Sequence, residues 1–129
     1  MGPWARARQR RYHQVTEAAG ARLDSGDQIR AVLGIAFNRW HTSATSIAIS
    51  EKRVMFFTRD PFSGRLRTGD DAVATFPSDA VSLLEWTRNS RWSRLKVRRP
   101  DGDIDLRVDR VHREEAESLA SLLPLSATA

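Results

Sequence analysis

The sequence predicts one mainly β domain with a helix at each end, of the α+β class. Three observations carry this. The stretch "SIAISEKRVMFFTR" (46–59) is two apolar segments joined by a polar turn, the pattern of a β-hairpin. "WSRLKVRR" (92–99) and "DIDLRVD" (103–109) repeat that arrangement around "RPDG". Segments with helical spacing of apolar residues lie before the first extended stretch and after the last.

Residues 3–23 predict a helix. Pro3 is tolerated in a first turn, and Trp4, Tyr12, Val15, Ala19 and Leu23 recur near helical spacing. "LDSGD" ends it, with Gly26 as a turn residue. "QIRAVLGIAF" (28–37) predicts a strand with a bulge or bend at Gly34, and "NRWHTSAT" (38–45) a loop.

In the first hairpin a two-residue Glu51-Lys52 turn sets Ile49 opposite Val54 and Ile47 opposite Phe56. Those four share one face. Ala48, Met55 and Phe57 share the other, so both faces need cover. One belongs to the core. The other is either a self-association surface or the seat of the N-terminal helix.

Residues 59–71 predict a loop, and 72–77 and 80–87 two further strands. In the second hairpin, matching apolar sets place Val97 opposite Ile104 and Leu95 opposite Leu106. Arg98 then meets Asp103, and Lys96 meets Asp105. Residues 109–123 predict a helix with Asp109 as its N-cap, a stripe of Val111, Ala116, Leu119, Leu122 and Leu123, and Pro124 as its stop. The expected division is a basic helix at 1–24, a β domain with its closing helix at 25–123, and a loose tail at 124–129.

The 129 residues contain no cysteine, which removes disulfides, thiolate nucleophiles and Cys-based zinc sites. The start of the chain lacks the apolar segment of a secretory signal, and no stretch reaches a membrane span. A cytoplasmic protein is expected, with attachment to the periphery of an anionic membrane as an alternative. The net charge of +5 favours anionic partners, and Lys52 and Lys96 are the only lysines. Arginine suits bidentate phosphate contacts, although GC-rich coding gives the same bias.

Two groups are candidate anion-binding residues. Arg6, Arg8, Arg10 and Arg11 sit with Trp4 and Tyr12 on the first helix. They either clamp phosphates of nucleic acid or lipid, or stay solvated while the aromatics dock. Arg88, Arg91 and Arg94, beside Trp92, form a basic corner left unpaired by the expected hairpin register. Trp4, Met55, Phe57 and Trp92 are the candidate interface residues. His13, His41 and His112 are too dispersed for a metal site. Asp101, Asp103, Asp105 and Asp109 lack the glycine and bidentate Glu of a calcium loop. With no nucleophile elbow and no Gly-rich phosphate loop, no catalytic residue, metal, cofactor or small-molecule substrate is expected.

Four stretches in order, "LDSGDQIRAVLGIAF", "SIAISEKRVMFF", "FPSDAVSLLEW" and "LKVRRPDGDIDLRV" with its following helix, resemble bacterial pleckstrin-homology-like (PH-like, GRAM-like) domains over about residues 23–123. The resemblance implies a partly open seven-stranded barrel capped by the C-terminal helix. It also implies a non-catalytic binding or scaffolding module with a protein or self-association partner. The family's eukaryotic branch often binds inositol phosphates through basic residues on its first hairpin. Here that loop offers Arg39 and His41 without a Lys/Arg cluster.

Overall fold

The computed structural model describes residues 2–39 and 43–126. Its one sheet has seven antiparallel strands: β1 (Ile29–Asn38), β2 (Ala44–Ser50), β3 (Arg53–Arg59), β4 (Val73–Pro77), β5 (Ser82–Thr87), β6 (Trp92–Arg99) and β7 (Gly102–Asp109). They lie in the order β4-β3-β2-β1-β7-β6-β5, so β4 and β5 are the ends of an open sheet. Helix α1 (Pro3–Gly20) precedes it and α2 (Arg113–Leu122) follows it.

Both hairpin registers match the sequence pattern. Ile49 pairs with Val54 and Ile47 with Phe56; Val97 pairs with Ile104 and Leu95 with Leu106. A one-residue slip would turn every apolar side chain to the wrong face, which is why binary patterning sets register so firmly.

The two faces of the β1–β3 region feed two cores. On one face Leu33, Ile47, Ile49, Val54 and Phe56 join Leu95, Val97, Leu106 and Val108 from the other half of the sheet, and Val81 just before β5. Ala116, Leu119, Ala120 and Leu123 of the C-terminal segment close this cluster. On the opposite face Val32, Ala48, Met55 and Phe57 lie under Val15 and Ala19 of α1. Each large side chain so buried contributes roughly 1.5–3 kcal/mol.

Helix α1 ends at Gly20 rather than at residue 23, and its expected apolar stripe is shorter. Val15 and Ala19 are buried, whereas Trp4 is 71% and Tyr12 40% exposed. Neither aromatic is buried. From residue 3 to residue 14 no side chain is buried, and the helix is held by its C-terminal half.

The bulge expected at Gly34 is present: the β1–β2 register shifts between Leu33 and Ala36. It has a structural purpose. Strand β1 pairs with β7 only at Phe37 and Asn38, so its earlier residues lie outside that ladder. The Gly34 amide donates instead to Glu115 Oε1 of α2 at 2.9 Å, and its carbonyl accepts from Ser46 Oγ and from Arg59 Nε. A buried backbone group needs a partner, and here side chains of three elements supply it.

Three boundaries differ from expectation. Arg59 ends β3 rather than opening a loop. Its strand continues as an isolated bridge to Leu66, around a turn in which Asp60 Oδ1 accepts from the Phe62 and Ser63 amides. Gly64 closes that turn at φ +73°, a conformation costly for any side chain. The last helix starts as a 3-10 turn (Arg110–His112), capped as expected by Asp109, which accepts from the His112 amide. Pro124–Ser126, expected as a loose tail, lies along the outer edge of β5. Leu83 donates to the Pro124 carbonyl and accepts from the Ser126 amide, and these bonds satisfy edge groups that β6 cannot reach.

Candidate functional site

Trp92 opens β6, opposite Asp109 of β7. Strand alternation sends Trp92, Arg94 and Lys96 to the outer face, away from the buried Ser93, Leu95 and Val97. On that face Trp92 is 38% exposed and fixed from two sides. The Phe37 ring meets it edge-on at 6.1 Å, and the Arg107 guanidinium lies 4.9 Å from its centroid. Such a cation–π contact contributes roughly 0.5–1 kcal/mol at an exposed site.

Beside Trp92, Arg94 forms a fork onto Asp105, with Nε and Nη2 donating to the two carboxylate oxygens at 2.9 and 2.6 Å. Arg94 also lies 3.4 Å from Glu85, and Arg39 reaches Asp105 at 3.5 Å. The Arg94 hydrogen bond outweighs desolvation and holds the Asp105 carboxyl below its ordinary value. The same bond raises Arg94. Arg39, Asn89, Ser93 and Arg107 complete a surface depression of about 320 Å³ with Trp92, Arg94 and Asp105. It presents an aromatic face and oriented guanidinium groups whose rotamers neighbours already restrain.

The expected basic corner is corrected. Arg94 is not unpaired, because it reaches Asp105 diagonally while Lys96 stands directly opposite it. Arg88 pairs with Glu117 of α2 at 3.1 Å. Arg91 is exposed.

Met55 and Phe57 are 0% exposed under α1, so these two candidate interface residues are interior. The N-terminal helix covers that hairpin face. Arg6, Arg8 and Arg10 are exposed on α1 and Arg11 is half-buried. Arg8 and Tyr12 line a groove of about 490 Å³ with Arg30, Glu114 and Glu115, so acidic residues of α2 share that groove with the arginines. His41 lies outside the described residues, and so does Trp40 of the same loop. The calcium-like aspartates have other partners: Asp101 pairs with Arg99, Asp103 with Arg98 and Asp105 with Arg94, and Asp109 is hydrogen-bonded to His112.

The structural roles of four residues escaped the sequence reading. Arg107 alternates outward from the Leu106/Val108 face, so its stacking on Trp92 was legible from period two. Asp27 accepts from the Gln28 and Glu51 amides and from Ser50 Oγ, which ties the start of β1 to the β2–β3 turn. His112 is fully buried, with Nδ1 2.9 Å from Asp109 Oδ1. Arg59 is 1% exposed, and no local signal marks an arginine at a strand end as interior.

Among the described residues no helix is long and apolar enough to cross a membrane, and no group of three or more His, Asp or Glu residues could hold a metal ion. Compared with protein-family models, with curated proteins and with solved structures, the chain matches none.

Proposed function

We propose that this chain is a non-catalytic PH-like binding or scaffolding module that engages a protein, or a second copy of itself, through the patch around Trp92. The observation that supports this most is the restrained Trp92–Arg107 stack beside the Arg94–Asp105 fork. Trp and Arg are enriched among residues that dominate interface energetics, and side chains already held in place lose little entropy on binding. The sheet of seven antiparallel strands with a C-terminal helix over its core agrees with the PH-like resemblance at the level of strand number and helix position.

The test is association of the full chain and of Trp92→Ala. Light scattering reads self-association, and capture from native lysate reads a different protein. A species bound by the wild type and lost from Trp92→Ala, with the fold retained, supports the reading. A partner or dimer kept unchanged by the variant contradicts it.

A second reading is nucleic-acid binding through Arg6, Arg8, Arg10 and Arg11. It is favoured by the absence of any buried side chain from residue 3 to residue 14 of α1. It requires affinity that falls steeply with salt, on a slope set by several phosphate contacts. Binding to anionic but not neutral vesicles would direct the same arginines to a membrane surface.

A further inference from the structure

Among the described residues, Arg59 is a buried cation with no carboxylate partner. Nε donates to the Gly34 carbonyl at 3.0 Å and to Ser46 Oγ at 2.7 Å, and Nη1 donates to the Gly64 carbonyl at 2.7 Å. All three acceptors are neutral. Nη2 is buried without a hydrogen-bond partner among the described residues. A charge in the interior is costly unless an opposite charge or a full set of hydrogen bonds offsets it.

The neighbours add to the imbalance. Arg11 of α1 sits at the same bulge, with its Cβ 3.1 Å from where a side chain on Gly34 would begin. Burial first, and then the charges of Arg11 and Arg10, push the Arg59 guanidinium down to about 10. Three acids of this region have other partners. Asp60 accepts from the Phe62 and Ser63 amides, Asp109, which attracts Arg11, is bonded to His112, and Glu115 accepts from the Gly34 amide. The three arginines grade from exposed Arg10 through half-buried Arg11 to buried Arg59.

We propose that Arg10, Arg11 and Arg59 form a site for a single phosphoryl oxyanion, at the junction of α1 with the 60–65 turn. A phosphoryl group offers several acceptor oxygens to planar guanidinium forks, which a chloride ion cannot do. The site is separate from the Trp92 patch and does not depend on it.

The test uses the full chain with inorganic phosphate as probe, in calorimetry and thermal melts against sodium chloride at matched ionic strength. Phosphate is expected to bind saturably and to raise the melting temperature beyond the chloride control. Arg10→Ala, at an exposed position, keeps the unliganded melting temperature and weakens phosphate binding roughly tenfold. Arg59→Met abolishes binding; if that variant does not fold, the Arg10→Ala comparison decides. Vesicles carrying phosphatidic acid distinguish the source. Vesicle binding that free phosphate displaces assigns a lipid headgroup, and phosphate binding without vesicle binding assigns a soluble phosphate ester. Equal effects of phosphate and chloride, or unchanged phosphate affinity in an Arg10→Ala/Arg11→Ala double variant, would overturn the proposal.

Discussion

Arg59 Nε donates to the Gly34 carbonyl across the intervening strand β2, and Ser46 on β2 contributes to the same bond set. One bulged residue thereby joins β1, β2 and β3 through its carbonyl, while its amide reaches α2 through Glu115. Both helices converge on this point, which has room only because residue 34 has no side chain.

Gly34→Ala is expected to destabilise the fold by about 1–3 kcal/mol. The added Cβ would meet Arg11 Cβ at 3.1 Å, His112 Cδ2 at 3.2 Å and Glu115 Oε1 at 3.3 Å. The backbone at Gly34 is outside the left-handed region, so the penalty is one of contact rather than conformation. Urea unfolding should show a lower midpoint at an unchanged m-value. A variant as stable as the wild type would show that α1 and α2 do not close on the bulge.

Glu115→Gln keeps an acceptor for the Gly34 amide and removes a charge. Burial is the largest influence on Glu115 and raises its pKa above 4.5, ahead of the opposing Gly34 hydrogen bond. A raised folded pKa gives stability that is complete below the unfolded value and is lost as pH rises through the folded one. Melting temperatures from pH 4 to 7 should therefore favour the variant increasingly as pH rises. A variant that loses ground over that window would mean that the ionised carboxylate is the preferred partner.

Asp27→Ala should act in the opposite sense. Desolvation pushes the Asp27 carboxyl up, but its bonds from Ser50, Gln28 and Glu51 outweigh that and lower it below 3.8. Its contribution is present above that value and is lost as pH falls through the folded pKa. The variant should melt below the wild type at pH 7, and the two curves should converge in acid. A constant gap down to the acid limit would assign the effect to packing instead of to the carboxylate.

The legible parts of the fold were those written in alternation. Ile47, Ile49, Val54 and Phe56 declared one face and Leu95, Val97, Ile104 and Leu106 another, and both ladders formed in the expected register. Gly34 declared a bulge, and Asp109 a cap. The site was less legible because charge pairing depends on side-chain reach. Arg94 spans the diagonal to Asp105 that straight cross-strand counting gave to Lys96. Tyr12 and Trp4 misled because helical spacing alone does not say where a helix leaves the sheet. Arg59 and His112 are polar residues whose burial is decided by partners far away in sequence: Gly34 for Arg59, and the enclosure made by α1 and α2 for His112.

The placement of α1 on the β1–β3 face decides which surfaces remain for a partner. The most direct measurement is NMR contact detection in the full chain, comparing a uniformly labelled sample with a mixture of labelled and unlabelled protein. Contacts joining the Val15 and Ala19 methyl groups to Met55 and Phe57 should arise within one chain and vanish from the spectrum selective for contacts between chains. If those contacts appear only between chains, the covered hairpin face is a dimer interface and the assignment of partner binding to the Trp92 patch fails.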